Sequence, residues 1–591
     1  MKYLVKYLKP YLKESILGPL FKLIEASFEL LVPLVVAKIM AEGIGNNDKG
    51  CIFKYGAVMV GLALIGLCCA VTAQYFAAKA AVGFAATVRK KIFENIEKRS
   101  YRKLDEYQPG TLITRITADL NQLQTGVNLV LRLFLRSPFI VFGAVVMAFL
   151  VDVKGALVFC VCVPLLFIVV FIILLVNIPL FRKVQKALDG VTVKTRENIT
   201  GVRVLRAFRC EDKETEIFRD NIDSLKKFQL LAGRVGAFMN PVTYLLVNAS
   251  TLGILYVCAD EVNMGALEQA SLIALLNYMS QILVELIKLA NLIITVTKSL
   301  ACADRIADLL KDDTKEKDIT QTLDSVESVR FENVSFMYDK AGKESLSDVS
   351  FSAKKGETIG IIGGTGSGKS TFAAILAGFY NQSEGKVYIN DVDRNELVAK
   401  SIGDEDPETV SDSLVKYMRK MVNIVPQTAV LFAGTVADNL RIYDKNSSDE
   451  ELKEALKRAC ALDFVEEKEG GLYTEVTEGG KNFSGGQKQR ISIARALVGN
   501  PGILILDDST SALDYATEKK VREGLSRISG QTITFIISQR AACIMNADRI
   551  LVFDEGRLVG NGNHDELLKS NEVYREIYVS QFPEEKGGQN A

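Results

Sequence analysis

The stretch that decides how the second half of this chain folds is Gly363-Gly364-Thr365-Gly366-Ser367-Gly368-Lys369-Ser370. It follows an apolar run at 358–362, which predicts a buried strand, and it precedes a run that predicts a helix. The order of strand, glycine loop and helix is typical of a phosphate-binding loop, because backbone N–H groups and the positive end of the helix face the phosphate. We expect Lys369 to hold the β- and γ-phosphates of ATP, and the Ser370 hydroxyl to ligate Mg²⁺ with support from Thr371.

A second apolar strand ends in two acids. Residues 503–506 are all Ile or Leu, and Asp507 and Asp508 follow them. Asp507 is expected to orient Mg²⁺ through its coordination shell, and Asp508 lies where a general base would contact the attacking water. An apolar strand that ends in Asp is common, so this pattern gains its weight from the phosphate loop that accompanies it.

Two further features suit a nucleotide. The run Ser484-Gly485-Gly486-Gln487 comes before a predicted helix over 488–498, so it places a second glycine-rich helix start in the chain. One chain therefore carries two phosphate-binding ends but one lysine loop, and a head-to-tail pair of such domains would use one end from each partner in every site. Tyr338 follows a predicted strand over 331–337 and is expected to stack on adenine, with simple packing as the alternative.

The first half is predicted to span a membrane. A spanning helix needs about 20 mainly apolar residues, and the sequence offers six such runs: 16–40, 55–78, 133–151, 156–181, 235–258 and 270–294. Basic residues crowd 89–103 and 182–206, whereas 259–269 contains acids and neither Lys nor Arg. Because cytoplasmic loops are enriched in Lys and Arg, the amino terminus and the whole second half are expected in the cytoplasm.

Charged residues lie within two of the predicted spans. Lys22, Glu25 and Glu29 share one helical face in the first, and Glu285 and Lys288 share one in the sixth. Charge inside a membrane is costly and usually faces a protein interior or a wet cavity. Two interpretations stay open: a substrate pathway, or ties between neighbouring helices.

Composition excludes some classes of protein. The 71 basic residues balance 71 acidic ones, which leaves no footprint of a nucleic-acid partner. The 10 cysteines are scattered rather than spaced as metal ligands, and they predict buried thiols in a reducing compartment. Residues 1–15 place four lysines along one face of an amphipathic helix, which is expected to lie on the membrane surface.

The order of these motifs resembles the nucleotide-binding domain of ABC transporters, and the first half resembles the six-helix membrane half of exporter-type (type IV) half-transporters. The resemblance rests on Tyr338, 363–371, Gln427, 474–480, 483–487, 503–508, 511–514 and Gln539. It implies an all-α membrane domain followed by an α/β P-loop NTPase domain, working as two chains with two ATP molecules between them. The implied nucleotide-binding residues are Tyr338, Gly363, Gly364, Thr365, Gly366, Ser367, Gly368, Lys369, Ser370, Thr371, Ser484, Gly485, Gly486 and Gln487. The implied Mg²⁺ ligands are Ser370, Gln427 and Asp507.

The resemblance also divides the chain. It implies an elbow helix at 1–15, a six-span domain with cytoplasmic coupling loops at 16–310, a linker at 311–326 and the nucleotide-binding domain at 327–591. Each cytoplasmic loop is predicted to reverse at a glycine, Gly110 in the first and Gly201 in the second, since glycine turns at low steric cost. The acidic stretch 395–412 is longer than the family's usual link. It is predicted to be a solvated surface loop, with a contact to a partner or a cytoplasmic loop as the alternative.

Two positions depart from the family. Its usual base is Glu, and this chain has Asp508, whose side chain is one methylene shorter. Its usual histidine is replaced by Gln539, which donates a hydrogen bond but cannot share a proton at neutral pH. The single histidine, His564, lies past the last strand and does not replace it. The predicted catalytic set is Asp508, Gln539 and Gln427, and the two losses make Asp508 and Gln539 degenerate in it, although tolerated variants in a slower symmetric enzyme are the alternative.

These features predict one subunit of a heterodimeric, multidrug-like ABC exporter in the cell membrane. It is expected to move a hydrophobic or amphiphilic drug, lipid or peptide, with ATP turnover mainly at the partner's site. The expected partners are a second half-transporter, the lipid bilayer and the small substrate, and no nucleic acid. Two alternatives stay open: a slow homodimeric lipid or drug flippase, and a non-hydrolysing, ATP-gated membrane regulator.

Overall fold

The computed structural model describes residues 3–582 except 108, 266, 312–315, 321–322, 324, 340, 512 and 527–529. Parts of four predicted segments lie outside the described residues: the first residues of the elbow helix, much of the linker 311–326, Ala512, and the nucleotide-binding domain beyond 582. The chain forms two compact units. One comprises Met1–Glu94 with Pro109–Asp312, and the other comprises Asn95–Gln108 with Asp313–Ala591.

The described part of the first 311 residues is helical. A 3₁₀ helix over Leu4–Tyr11 comes first. The α-helices are α1 Leu12–Lys38, α2 Lys49–Lys98, α3 Tyr101–Leu104, α4 Pro109–Thr114, α5 Leu120–Leu133, α6 Arg136–Val151, α7 Val153–Ala207, α8 Glu211–Ala237, α9 Met239–Asn263 and α10 Gln269–Lys311. Short π-helical turns join α1 to α2 and α4 to α5.

Five helical stretches among the described residues are long and apolar enough to cross a membrane. They are Lys49–Lys98, Pro109–Val151, Val153–Ala207, Glu211–Asn263 and Gln269–Lys311. These stretches contain five of the six predicted spans. The first predicted span, 16–40, lies mostly in α1, which is not among the five because it carries Lys22, Glu25 and Glu29 within its apolar run.

Helix α1 nevertheless packs in the same core as the spanning helices. Ala26 is fully buried and Leu30 is nearly so, in a cluster with residues of α6, α7, α9 and α10. The Tyr278 hydroxyl of α10 donates a hydrogen bond to the Leu30 carbonyl over 2.7 Å. On the outside of the unit, Phe53 and Leu150 are 80% and 75% exposed. Large apolar side chains exposed in this way are typical of a surface that meets lipid.

The charged residues of the predicted spans tie helices together. Arg136, at the start of α6, donates to Glu285 Oε1 of α10 over 2.8 Å and to Glu29 Oε2 of α1 over 2.6 Å. Ser137 donates to the other oxygen of Glu285 over 2.8 Å, and Lys288 reaches Glu285 over 2.8 Å. Glu285 is 1% exposed. A buried carboxylate with three donors is what the interpretation as interhelical ties requires.

The predicted reversal at Gly201 is wrong. Helix α7 continues through Gly201 to Ala207, and the chain turns afterwards at Arg209, whose φ is +49°. Gly110 also lies inside a helix, α4, rather than at a turn. Glycine costs a helix about 1 kcal/mol relative to alanine, which the helical runs on both sides of Gly201 outweigh in α7.

The second unit combines α-helices with β-strands. Its strands are β1 Ser328–Phe336, β2 Leu346–Lys354, β3 Thr358–Gly363, β4 Glu384–Ile389, β5 Val392–Asp393, β6 Val422–Val425, β7 Gly434–Thr435, β8 Glu475–Val476, β9 Ile503–Asp507, β10 Ile533–Ile537, β11 Arg549–Asp554 and β12 Arg557–Gly562. Its later helices are α11 Lys369–Leu376, α12 Arg394–Ile402, α13 Pro407–Met418, α14 Val436–Leu440, α15 Asp449–Arg458, α16 Leu462–Glu466, α17 Gly485–Leu497, α18 Tyr515–Ser526, α19 Ala541–Ile544, α20 His564–Ser570 and α21 Glu572–Gln581. The predicted strands at 358–362 and 503–508, and the predicted helix at 488–498, are confirmed to within three residues at each end.

Two larger sheets build the core of this unit. The six-stranded sheet has the order β12-β11-β3-β10-β9-β6, and all of its pairs except β11–β12 are parallel. The four-stranded sheet has the order β2-β1-β4-β5 and is antiparallel. Apolar strands such as β10, in which every residue is buried, are what a parallel sheet covered on both faces requires.

The prediction of a solvated loop over 395–412 is wrong. The stretch forms nearly all of α12, the first half of α13 and the short turn between them. The Asp406 side chain accepts from the Thr409 N–H at the start of α13, and Pro407 occupies the first helical turn, both of which favour helix initiation. Val410 and Leu414 on α13 pack into the core of the unit. We call α12 and α13 together the insertion helices.

Candidate nucleotide site

The candidate site lies at one edge of the six-stranded sheet. Strands β3, β10, β9 and β6 run parallel, and the register pairs Ile537 with both Ile361 and Asp507. The segments that follow these four strands therefore emerge side by side, as ligand-binding segments do in open α/β sheets. They are the phosphate loop after β3, Ser538 and Gln539 after β10, Asp508 after β9, and Gln427 two residues after β6.

Glycines let the phosphate loop bend tightly. Gly366 and Gly368 have φ of +80° and +99°, a region in which other residues are strained. A Cβ on Gly368 would lie 2.7 Å from the Ser345 carbonyl oxygen, so a side chain there has no room. The loop ends where α11 begins at Lys369. The first N–H groups of a helix have no partner within the helix, so those of α11 would be available to phosphate.

Lys369 is held against the loop that precedes it. Its Nζ donates to the Gly363 and Gly364 carbonyl oxygens over 2.8 and 2.6 Å, and it lies 3.2 Å from Ser367 Oγ. Burial lowers the pKa of Lys369 from its ordinary value, while the charges of Asp507 and Asp508 oppose that shift. The positive charge of the Lys369 ammonium would balance the negative charge of the phosphate oxygens. The negative charges of Asp507 and Asp508 would balance the positive charge of Mg²⁺.

Asp507 ends β9 beside the start of α11. Burial raises the pKa of its carboxyl, the negative charge of Asp508 adds to that shift, and a hydrogen bond from Ser370 and the charge of Lys369 offset part of it. A carboxylate and a hydroxyl side by side, both oxygen donors, are the ligands that Mg²⁺ prefers. The residues present therefore fit a Mg²⁺ ion, with Ser370 and Asp507 as the side chains that would hold it.

Asp508 has a backbone conformation that is rare outside glycine. Its φ is +47°, and its N–H donates to the Ile537 carbonyl oxygen over 2.9 Å. Residues in this region are strained and are common at functional sites. Gln427 Nε2 donates to Asp508 Oδ2 over 3.3 Å. Burial raises the pKa of the Asp508 carboxyl, and the Gln427 hydrogen bond acts in the opposite direction.

Gln539 lies at the mouth of the same pocket. Its side chain is exposed, and its backbone carbonyl oxygen accepts from Gln581 Nε2 of α21 over 2.7 Å. The preceding Ser538 is 2% exposed, and its Oγ accepts from the Arg540 N–H over 3.0 Å. The backbone around position 539 is therefore fixed by hydrogen bonds, and the exposed Gln539 side chain lines the pocket.

One pocket joins most of the predicted site residues. Those that line it are Gly364, Thr365, Gly366, Ser367, Gly368, Lys369, Ser370, Thr371, Gln427, Asp507, Asp508 and Gln539. The pocket is also lined by two segments that the sequence reasoning missed, 343–345 and 554–556. The second of these is the tight turn between β11 and β12, where Glu555 and Gly556 both have positive φ. The Asp-Glu-Gly sequence of that turn signals a hairpin, but nothing in it signals proximity to the phosphate loop.

Tyr338 contacts Thr371, one of the residues that line the pocket. Its hydroxyl lies 3.3 Å from Thr371 Oγ1, and it is half-buried. Its ring meets those of Phe336 and Tyr380 edge to face, with centroids 4.9 and 5.3 Å apart. Tyr338 is therefore beside the phosphate loop and partly exposed, so that both stacking on adenine and packing stay compatible with its position.

The glycine signature at 484–487 is separate from this pocket. Ser484 begins α17 with a capping box, in which its hydroxyl accepts from the Gln487 N–H and the Gln487 side chain accepts from the Ser484 N–H. Ser484 and Gly485 are exposed. None of the four residues lines the pocket of the phosphate loop, as expected if they serve a second copy of the site.

His564 lies in the C-terminal helices and not at the pocket. Its Nδ1 is 2.7 Å from the Tyr574 hydroxyl of α21, and its ring also contacts that of Tyr578. It is the one histidine of the chain. Its place at the start of α20 matches the prediction that it does not substitute for the histidine replaced by Gln539.

Comparison with known proteins gives the family. Residues 15–286 match the family model of the ABC transporter transmembrane region, and residues 346–511 match the family model described as ABC transporter. Over 586 residues, 99% of each chain, the protein is 34% identical to the uncharacterized ABC transporter ATP-binding protein YfiB of Bacillus subtilis. The chain belongs to the ABC transporter family. Its ABC domain implies ATP binding, typically with Mg²⁺, and ATP hydrolysis coupled to transport.

Two further relatives define the kind of ABC transporter. The chain is 31% identical over 496 residues, 83% of its length and 84% of the relative's, to the ATP-dependent lipid A-core flippase of Desulfotalea psychrophila. A solved structure of a bacterial Atm1-family ABC exporter with ATP bound matches with a TM-score of 0.78 at 23% identity, over 97% of this chain and 98% of that one. The fold of this ABC transporter is thus that of an exporter, a helical transmembrane domain followed by an ABC domain.

Proposed function

We propose that this ABC transporter is one half of a heterodimeric exporter whose own ATP site is catalytically weakened. The observation that carries the proposal is the composition of the pocket, where a complete phosphate loop faces Asp508 and Gln539. The loop supports tight ATP binding. The two substituted side chains support slow hydrolysis, so turnover in the pair would occur mainly at the site that holds the partner's phosphate loop.

The weakening has a physical basis at each position. General base catalysis contributes about 10²- to 10⁴-fold in rate, and it requires the carboxylate to reach the attacking water. Asp508 is one methylene shorter than the family's Glu, and its Oδ2 is engaged by Gln427 at 3.3 Å. Gln539 can donate a hydrogen bond to a phosphate oxygen, but an amide cannot take or give a proton at neutral pH.

The remaining pocket residues have the roles that binding requires. Lys369 would contact the β- and γ-phosphates, and Ser370, Asp507 and Gln427 would surround the Mg²⁺ position. Bound Mg²⁺ supplies charge neutralisation at the phosphates. Tyr338 would stack on adenine. Ser484, Gly485, Gly486 and Gln487 would complete the partner's site, which is why we expect the partner to have the family's Glu and His but a poorer signature.

We further propose a six-span membrane domain, with α1 as the first span, in the cell membrane. The burial of Ala26 and Leu30 among residues of the spanning helices supports this, despite the charges that α1 carries. The basic stretches at 89–103 and 182–206 support a cytoplasmic location for the amino terminus and the ABC domain. A hydrophobic or amphiphilic drug, lipid or peptide is the expected cargo.

The test compares two variants in the co-expressed pair. Ser484→Ala is expected to abolish the ATPase activity of the pair, because it removes a hydroxyl from the partner's site. Asp508→Asn in the same pair is expected to change that activity by less than about twofold, since general-base loss matters only where hydrolysis occurs. The opposite ranking, with Asp508→Asn abolishing turnover, would contradict a degenerate site.

A second candidate is a slow homodimeric flippase. The observation that favours it is the similarity to a relative named as an ATP-dependent lipid A-core flippase. It predicts ATPase activity of this chain alone, stimulated by an acylated glycolipid and lost in Asp508→Asn. The third possibility, a non-hydrolysing ATP-gated regulator, predicts ATP binding without turnover in either pairing.

A further inference from the structure

The insertion helices lie against two segments that run between the membrane domain and the ABC domain. One is 95–108, which joins the end of α2 to α4 and contains the short helix α3. The other is 316–320, which follows α10. Both segments group with the ABC domain as one compact unit. The insertion helices also pack into the core of that unit, where Leu414 and Tyr417 of α13 are 1% and 2% exposed.

The contact to the first segment is an ion pair with a buried acid. Lys103 Nζ of α3 lies 3.3 Å from Asp412 Oδ2 and 3.2 Å from Glu408 Oε1, both on α13. The Asp412 side chain is 3% exposed and that of Lys103 is 17% exposed. An exposed ion pair contributes little to stability, but a buried carboxylate is strongly destabilised when its cation leaves. Lys103 therefore holds α3 against α13.

The contacts to the second segment are also charged. Lys416 of α13 pairs with Glu316 over 3.1 Å and with Asp318 over 2.7 Å. Lys317 pairs with Asp404, in the turn between the insertion helices, over 2.7 Å. The order of charge alternates along the segment: acid, base, acid. The insertion side supplies one base, Lys416, which pairs with both acids, and one acid, Asp404, which pairs with Lys317.

Backbone hydrogen bonds fix the second segment at two more points. The Lys317 N–H donates to Ser413 Oγ over 3.0 Å, and the Thr320 N–H donates to the Ser401 carbonyl oxygen over 3.2 Å. The Thr320 hydroxyl bonds to the same carbonyl oxygen. Ser413 is fully buried and Ser401 is 3% exposed. The segment is thus fastened along five residues, from position 316 to position 320.

The first segment has other anchors on the ABC domain, independent of the insertion. Tyr101 stacks on Phe379 with ring centroids 4.3 Å apart, and Arg102 pairs with Asp339 over 2.7 Å. The Tyr380 hydroxyl bonds to the Asp105 carboxylate. These contacts hold α3 against the region just after α11, which contains Phe379 and Tyr380, and against Asp339 in the segment after β1. The insertion helices contact α3 in addition to these anchors, through the ion pairs of Lys103 with Glu408 and Asp412.

We propose that the insertion helices are a clamp that fastens 95–108 and 316–320 to the ABC domain, so that movement of that domain is transmitted to the membrane helices. The coupling part rests on the proposed transport function; the clamp itself does not. The clamp needs no ligand or second protein, because both occupants belong to this chain. Its removal should loosen the two segments and separate ATP hydrolysis from transport.

The first test measures hydrogen–deuterium exchange in the purified full-length chain. Asp412→Asn keeps the shape of the side chain and removes its charge, so α3 should lose protection, with at least about a tenfold faster exchange over 100–105 for a loss of about 1.4 kcal/mol. Glu405→Lys is the matched control, because Glu405 lies in the same insertion, is exposed and forms no ion pair among the described residues. Equal exchange in wild type and Asp412→Asn would overturn the clamp.

The second test measures coupling in proteoliposomes that contain the pair. Lys103→Glu is expected to lower at least fivefold the amount of fluorescent cationic dye or tagged phospholipid moved per ATP hydrolysed, with ATPase activity retained. Reversing both charges, Lys103→Glu with Asp412→Lys, should restore at least half of that ratio. A wild-type ratio in folded Lys103→Glu, or no recovery in the double variant, would overturn the coupling role. A wild-type pair that moves neither probe contradicts the proposed transport instead, and the exchange test still decides the clamp.

Discussion

Gln427 Nε2 donates a hydrogen bond to Asp508 Oδ2 over 3.3 Å. Two side chains that lie 81 residues apart in the sequence thus meet at the sheet edge, because β6 and β9 are neighbouring parallel strands. The pair shows where the shorter carboxylate points: toward the Gln427 amide. A glutamate at 508 would extend one methylene further into the pocket.

The first prediction follows from this geometry. Asp508→Glu combined with Gln539→His should create a competent site in this chain, and the ATPase activity of the chain purified alone should rise by about 10²-fold, the lower end of a general base's contribution. Steady-state phosphate release in detergent measures it. Asp508→Glu with Lys369→Ala is the control, because it lacks the lysine that holds phosphate. Unchanged activity in the variant with Asp508→Glu and Gln539→His would show that the residues at these two positions are not what limits hydrolysis.

The second prediction concerns Asp507 and pH. Burial raises the pKa of this carboxyl, so in the protein without nucleotide its ionised form is less stable in the folded state than in the unfolded chain. The resulting destabilisation is absent below the ordinary carboxyl pKa and appears as the pH rises through the raised value. Asp507→Asn should therefore raise the melting temperature at about pH 7.5 and have little effect near about pH 4.

The same Asp507→Asn variant should lose the stabilisation that Mg²⁺ with ATP provides, because an amide is a poor ligand for Mg²⁺. Thermal unfolding with ATP, with and without EDTA, separates the two effects. A gain in melting temperature that is equal at both pH values would contradict the electrostatic origin. An undiminished Mg²⁺-dependent shift would contradict Asp507 as a ligand.

The third prediction concerns the ion network of the membrane domain. Arg136 and Glu285 are 7% and 1% exposed, and they bridge α6 and α10. Removing one partner of a buried ion pair costs about 3–5 kcal/mol, so Arg136→Met should strongly lower the melting temperature and the yield of folded protein. Arg136→Met with Glu285→Met should recover much of both, because it removes the buried carboxylate that Arg136→Met leaves with only Lys288 and Ser137 as donors.

The same variants distinguish the two interpretations of these charges. If the network ties helices, the folded double variant retains transport of cationic and neutral dyes in an unchanged ratio. Selective loss of the cationic dye would instead place the network in the substrate pathway. The variant with Glu25→Gln and Glu29→Gln extends the same dye comparison to the two α1 acids that contact Arg136.

The sequence predicted the local parts of the site well. The phosphate loop, the strand before it and the helix after it were all placed within a few residues, because glycine spacing, an apolar run and a lysine act within one short segment. The signature before α17 was equally local, and its Ser484 caps the helix as its residue type favours. Strand order was not predictable in this way, since the approach of Gln427 to Asp508 depends on long-range pairing.

The misplaced elements have physical reasons. Acidic residues and a glycine made 395–412 resemble a loop, although Asp406 before Pro407 is a helix-start signal and Val410 and Leu414 have helical spacing. At Gly201 a single glycine predicts a reversal, whereas the helical residues on both sides of it continue α7 through that position. Opposite charges such as Lys103 and Asp412 are visible in the sequence, but their pairing is not, because 309 residues separate them.

The most direct test of the central claim is the ATPase activity of this chain, purified alone and then co-expressed with the half-transporter encoded next to it. The account predicts near-zero activity alone and robust activity in the pair. Robust activity of this chain alone that is lost in Asp508→Asn would contradict it, because Asp508 and Gln539 would then suffice for hydrolysis in a homodimer.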